Sequence, residues 1–125
     1  MKALVYDKPE SFAIKEVPEP ICGENDVIIK VAVCGICKTD VHIHHGRFIS
    51  RFPLIPGHEF AGTVAEVGRN VTDFKVGDRV TADNTVLCGY CYYCRRDQPL
   101  YCENFFSRGV TAAGGFAQYI VVGHD

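Results

Sequence analysis

Four cysteines fall within fifteen residues, Cys88, Cys91, Cys94 and Cys102, spaced C-x2-C-x2-C-x7-C. A C-x2-C step lets two thiolates turn back onto one ion, and four thiolates fill the tetrahedral shell that zinc prefers. The spacing predicts a closed, structural metal site that holds a polar, tyrosine-rich loop in place. A second group is of a different kind. Cys37 lies in Cys34-Gly-Ile-Cys37-Lys-Thr39-Asp40-Val-His42, and His58-Glu59 follows the rigid turn Pro56-Gly57. A thiolate, an imidazole and a carboxylate are all zinc ligands, and three protein ligands leave a fourth position for water or substrate. Such a centre polarises an alcohol oxygen and lowers its pKa toward neutrality. Taken alone, the same residues also fit a buried thiol and an ordinary core or surface imidazole.

Short strands and turns must position these groups. Residues 2–6 and 11–17 read as strands, the second ending at Pro18. Residues 26–34 are the strongest strand: Val27, Ile29, Val31 and Val33 share one face, and Ile28, Ala32 and Cys34 make the other apolar, which predicts a central position. Cys37 follows it, where a side chain can project from the end of the sheet. Residues 39–45 predict a short helix with Thr39 as N-cap and Gly46 as stop. Residues 61–67, 79–82 and 116–122 read as further strands. Six or so strands with twelve glycines and six prolines argue for a mostly β, partly barrel-like domain with short helices.

At 125 residues the chain is one domain or a piece of a larger protein, long enough for a real core, as its 47% hydrophobic content agrees. Thirteen basic against fifteen acidic side chains, with no run of like charge, give no electrostatic reason to expect nucleic acid or an anionic membrane as partner. No stretch approaches the roughly 18 apolar residues of a membrane span, and the first residues do not read as a signal peptide, so the cytoplasm is expected. Seven cysteines cannot all pair within one chain, and clustered thiols in a reducing compartment serve as metal ligands rather than as a disulfide knot.

Five segments, in order, resemble the zinc-dependent medium-chain alcohol and polyol dehydrogenases. They are the run from Gly35 through Cys37 to His42; Pro56-Gly57-His58-Glu59-Phe-Ala-Gly62 continuing to Gly68; Phe74-Lys-Val-Gly77-Asp78-Arg79-Val80; the four-cysteine loop; and Gly114-Gly115-Phe-Ala-Gln-Tyr. The loop, with Leu87 before it and Tyr101-Cys102 closing it, looks closest to the sorbitol and arabinitol dehydrogenase branch. The resemblance implies a chaperonin-10 (GroES)-like, partly open β-barrel catalytic domain over residues 1–125. It implies that Cys37, His58 and Glu59 hold the catalytic zinc, although in other branches a residue further along the chain replaces Glu59. Thr39 matches the hydroxyl that contacts the substrate oxygen, His42 the relay histidine that passes the proton to solvent, and Asp40 the carboxylate that orients the ligand histidine. Cys88, Cys91, Cys94 and Cys102 match the structural zinc site, which makes two zinc ions per chain.

Alcohol oxidation also needs a hydride acceptor. No side chain can serve, so a nicotinamide, NAD or NADP, must. Yet no Gly-x-Gly-x-x-Gly follows a strand anywhere in the chain. Members of the resembled family carry a separate nucleotide-binding (Rossmann) domain and are homo-oligomers. The expectation is therefore an N-terminal catalytic portion that oxidises a polyol or secondary alcohol to a ketone only when that domain is joined to it. Two other classes remain alternatives. An iron–sulfur electron carrier would continue C-x2-C-x2-C with x3-Cys-Pro, whereas here the gap is seven and Glu103 follows. A zinc-ribbon binding module would pair its knuckles across about 15–20 residues. His44 and His45 read as a solvated loop or pocket lining, Lys38 as solvated or facing the cofactor, Cys22 and Cys34 as small packing residues. Tyr90, Tyr92 and Tyr93 read as packing or subunit contacts, and Phe48, Phe52 and Leu54 as apolar filling or pocket rim.

Overall fold

The computed structural model describes residues 1–123. In chain order the strands are β1 (Lys2–Lys8), β2 (Ser11–Glu16), β3 (Asp26–Gly35), β4 (Glu59–Val67), β5 (Arg79–Thr81), β6 (Thr85–Val86), β7 (Phe106–Ser107) and β8 (Tyr119–Gly123). One α-helix, α1 (Lys38–His44), lies between β3 and β4, and two 3-10 turns, Cys94–Arg96 and Pro99–Tyr101, lie between β6 and β7. β1 and β2 form an antiparallel hairpin; β5, β4, β3 and β8 form a four-stranded antiparallel sheet in that order; β6 and β7 pair alone. The chain before β8 joins hairpin to sheet. The Leu4 N–H donates to the Phe116 carbonyl at 2.8 Å, and the Val31 N–H donates to the Gln118 carbonyl at 2.9 Å. With the Ala3–Ala117 bridge this closes a partly open barrel. Among the described residues no helix is long and apolar enough to cross a membrane.

β3 lies between β4 and β8, as two apolar faces require. Only its first half is enclosed. Val27, Ile28 and Ile29 are buried, but Val33 is 65% exposed, because the β8 pairing stops at Lys30. The strand thus runs out of the core and carries its end toward Cys37. Val27, Ile29, Phe60, Val64, Val71 and Ile120 pack as the main core, and Ile43, Leu54 and Val110, with Phe52 against them, seat α1 on the barrel. Leu54 is therefore buried filling, whereas Phe48 remains exposed.

The helix differs from expectation at its start. Cys37, not Thr39, is the N-cap: its Sγ accepts the Thr39 N–H at 3.3 Å, and the Asp40 carboxylate accepts the Cys37 N–H at 2.9 Å. Sulfur here takes the place of the hydroxyl or carboxylate oxygen that usually caps a helix, in a reciprocal capping box. The chain leaves α1 through His45 and Gly46, the latter at φ +66, so both His44 and His45 belong to the helix end and not to a loop. The expected strand at 116–122 is shorter, Tyr119–Gly123, because residues 116–118 bond to the hairpin and to β3 as a connecting strip. The β6–β7 pair was not legible as periodicity, since two residues per strand leave no period to read. The β1–β2 turn holds Glu10 at φ +62, a left-handed conformation that costs a non-glycine residue roughly 1–2 kcal/mol.

Candidate metal centres

The open group assembles from two chain segments joined by strand register. Gly35 at the end of β3 pairs with Glu59 at the start of β4, which sets Cys37 and His58 side by side. A Cβ at Gly35 would lie 2.6 Å from the Glu59 Oε2, so glycine there leaves the carboxylate its room. His58 is delivered by Pro56 and Gly57. Gly57 has φ +93, and a side chain on it would run into the Phe116 ring at 2.6 Å and the Cys34 Sγ at 2.9 Å. The turn is pinned by the Gly115 N–H donating to the Gly57 carbonyl at 2.7 Å and the Phe116 N–H donating to the Pro56 carbonyl at 2.9 Å. The sequence segments around His58 and Gly114-Gly115 are thus two halves of one support.

Cys37 Sγ lies 2.9 Å from His58 Nε2, and ligand atoms of Cys37, His58 and Glu59 all lie within 4.8 Å of one another. A tetrahedral ion between thiolate and imidazole would hold them about 3.5 Å apart, which a small rotation of each side chain supplies. Behind the imidazole, Asp40 Oδ1 stands 3.6 Å from His58 Nδ1, and both side chains are nearly enclosed, at 8% and 11% exposure. Both atoms are buried and have no hydrogen-bond partner. Two facing orphans of opposite polarity are what a slightly displaced His58 would join, with Nδ1–H donating to Asp40 and the Nε2 lone pair turned toward Cys37. Asp40 thus accepts the Cys37 N–H through Oδ2 and turns Oδ1 toward the Nδ1 edge of His58, 3.6 Å away. Thr39 and His42, three residues apart on α1, share a half-buried face beside Asp40 and Ile43, which point inward. Lys38 is exposed. Burial pushes the Cys34 thiol up from its ordinary pKa, which keeps it a neutral packing group.

An expected result follows for Asp40→Asn. The amide oxygen can still accept the Cys37 N–H, so α1 stays capped, but the charge behind His58 is gone. Affinity for zinc at this group is expected to fall about 10–100-fold, measured by competition with a chromophoric chelator, with little change in melting temperature. Unchanged affinity would remove Asp40 from the site.

The second group is a sulfur cage. The Sγ atoms of Cys88, Cys91, Cys94 and Cys102 lie within 4.8 Å of one another, and Cys102 and Cys88 are 3.6 Å apart. Four sulfurs bound at about 2.3 Å in a tetrahedron stand about 3.8 Å apart, so the Cys88–Cys102 separation of 3.6 Å fits such a shell. The Cys88 N–H points at Cys102 Sγ, and the Asn104 amide at Cys88 Sγ. Desolvation would raise the Cys88 pKa, but the Asn104 amide and the N–H groups of Tyr90 and Cys91 outweigh it and bring it down to about 6. N–H groups of Cys94 and Glu103 likewise lower that of Cys91. Cys94 moves the other way, to about 12, through desolvation and then the neighbouring Cys91 and Cys102 sulfurs. Negative charge is thus favoured on the Cys88 side of the cage over the Cys94 side. Of the four tyrosines in the loop, Tyr92 packs edge-on against Tyr93 and lies under the Arg96 guanidinium, 3.7 Å from its ring centre, Tyr93 also meets Tyr101 with ring centres 5.7 Å apart, and Tyr90 is exposed.

The family described as the alcohol dehydrogenase GroES-like domain matches residues 23–125. D-arabinitol dehydrogenase 1 from Uromyces fabae is 50% identical over 119 residues, 95% of this chain and 34% of the relative. L-threonine 3-dehydrogenase from Photorhabdus laumondii is 43% identical over 127 residues, 98% of this chain and 37% of the relative. Among solved structures, a Sinorhizobium meliloti 1021 protein described as a zinc-binding dehydrogenase, bound to NADP, superimposes with a TM-score of 0.94 at 38% identity, over 98% of this chain and 36% of its own. The chain therefore spans about a third of the length of the relatives it matches.

Proposed function

The chain belongs to the alcohol dehydrogenase GroES-like domain family, and from that premise we propose that it is the zinc- and substrate-binding portion of a dehydrogenase that oxidises a polyol to a ketone. One observation carries the reading: Cys37, His58 and Glu59 converge at an accessible position, with the Asp40 carboxylate behind the imidazole. In this reading Cys37, His58 and Glu59 hold one zinc ion, and Cys88, Cys91, Cys94 and Cys102 hold a second. Zinc held there would supply Lewis acidity toward a hydroxyl oxygen, and a nicotinamide dinucleotide would supply the hydride acceptor. The remaining work falls to the chain. Thr39 would accept the substrate hydroxyl proton in a hydrogen bond as its own hydroxyl proton passes on toward His42, one helical turn along α1, and from there to solvent. Asp40 holds His58 in the tautomer that leaves Nε2 free. The sulfur cage keeps its loop folded and takes no part in proton movement.

A polyol substrate is favoured by the 50% identity to an arabinitol dehydrogenase, against 43% to a threonine dehydrogenase. The nucleotide-binding domain, in this proposal, is a separate domain that acts together with residues 1–125. The test is a fusion of this chain to the nucleotide-binding domain of the arabinitol dehydrogenase relative, assayed with NAD+ and NADP+ against D-arabinitol, sorbitol and L-threonine. Oxidation of a polyol by the fusion, and none by residues 1–125 alone, is expected. A folded, dinucleotide-binding fusion that turns over only threonine, or none of the three, would overturn the substrate assignment. Robust turnover by residues 1–125 alone would overturn the division of labour.

A further inference from the structure

We infer that Glu10, His44 and His45 form a third, surface metal site for a divalent transition ion such as Zn2+, one that clamps the β1–β2 turn to the end of α1. Ligand atoms of the three residues lie within 4.8 Å of one another. They come from two elements whose backbones are bonded together: the Glu10 N–H donates to the His44 carbonyl at 2.9 Å. The site is therefore anchored by main chain and does not rest on three mobile side chains meeting in solvent. Glu10 Oε1 is 3.1 Å from His45 Nδ1, and the two imidazole rings stand edge-to-face with centres 4.8 Å apart.

Two further features set this group apart from an exposed ion pair. First, Tyr6 Oη lies 3.0 Å from His44 Nδ1, and Tyr6 is buried against the hairpin. When Nδ1–H donates to that oxygen, the Nε2 lone pair is left as the ligand, the arrangement in which a second partner fixes the tautomer of a metal-binding histidine. Second, Glu10 occupies a turn position at φ +62, where a glycine would be unstrained. From that position its carboxylate meets His45 Nδ1 at 3.1 Å and stays within 4.8 Å of a ring nitrogen of His44. Two imidazoles and one carboxylate suit zinc, nickel, cobalt or copper(II) rather than calcium or magnesium, which prefer oxygen shells. An ion here would tie the hairpin to the helix whose other end carries Cys37, Thr39 and Asp40.

The experiment compares zinc content after equilibrium dialysis of the whole chain against excess Zn2+, for wild type, Glu10→Gly, His45→Gln and Cys37→Ser. Wild type is expected to bind one equivalent more than Glu10→Gly and His45→Gln, and Cys37→Ser is expected to keep that equivalent. The readout is a difference between variants, so it does not depend on how many ions the cysteine centres take. Glycine relieves the turn at position 10, and Glu10→Gly should melt within about 4 °C of wild type before excess zinc is added. His45→Gln is a surface change that decides the matter if Glu10→Gly fails to fold. Tyr6→Phe should weaken binding of the extra equivalent about tenfold. Equal zinc content in wild type, Glu10→Gly and His45→Gln would overturn the inference. So would an extra equivalent that survives in His45→Gln.

Discussion

Cys91→Ala is expected to release one zinc ion and to unfold the loop between β6 and β7 while leaving the barrel folded. The reason is what that loop lacks. From residue 87 to residue 104 the only buried residues are Cys91 and Cys102, and Leu100, Tyr90 and Tyr101 stand well exposed at 95%, 64% and 68%. Two 3-10 turns of three residues each cannot sustain themselves, because short helical segments are marginal without packing. The sulfur cage is the core of the lobe. Structural zinc sites carry apparent binding free energies of roughly 10–16 kcal/mol, far more than such a loop can gain from its tyrosines, and losing one of four thiolates forfeits much of that. The measurements are zinc content by mass spectrometry and tryptic cleavage after Arg95 and Arg96, which should become fast in the variant and in chelator-treated wild type. Retention of both the ion and protease resistance would show that the loop folds without its cage. Because the metal must displace thiol protons, and Cys94 holds its proton up to about 12 in the absence of metal, zinc retention is expected to fall as pH is lowered.

Cys37→Ser is expected to have the opposite profile, an intact fold with a dead site. Serine is a good N-cap, so it can accept the Thr39 N–H as the sulfur does, and Asp40 can still accept the backbone N–H of position 37. The helix and its seat on Ile43, Leu54 and Val110 should persist. A neutral hydroxyl is a poor zinc ligand beside an imidazole, so the open centre should lose its ion while the cage keeps its own. In the fusion enzyme, turnover is expected to drop by at least about 10³-fold, the equivalent of the several kcal/mol that a Lewis acid contributes. Cys37→Ala removes cap and ligand together and should add a loss of about 1 kcal/mol, or roughly 4–8 °C in melting temperature, to the same loss of turnover. A Cys37→Ser fusion with near wild-type turnover would remove Cys37 from the chemistry.

Much of the architecture was readable before any coordinates. The alternation in β3 and its two apolar faces predicted a central strand, and it is one. The places where reading failed share a cause. Thr39 was read as the cap where Cys37 is, because propensity scales do not count sulfur among capping acceptors; the Asp40 carboxylate also returns to the Cys37 N–H. Val33 follows the same alternation as Val27 yet is exposed, because burial is set by where β8 ends and not by the pattern within β3. The helix expected over residues 39–45 is present as Lys38–His44 with His45 as C-cap, so His44 and His45 lie at its end and not in a solvated loop.

Residue type and local spacing settled the chemical inventory by themselves: four thiols close enough along the chain to meet, a thiol and a His-Glu pair delivered at strand ends, and an alternation that commits the domain to β-structure. Those are short-range properties, fixed by how far a few residues of chain can reach. Tertiary structure alone decided which distant groups face one another. The pairing of Gly35 with Glu59 brings Cys37 within 2.9 Å of His58 across 21 residues, α1 turns Asp40 to the back of that imidazole, and the hairpin lays Glu10 against His44 and His45. Strand register and helix seating are chosen by the packing of the whole core, and no stretch of sequence carries that choice on its own.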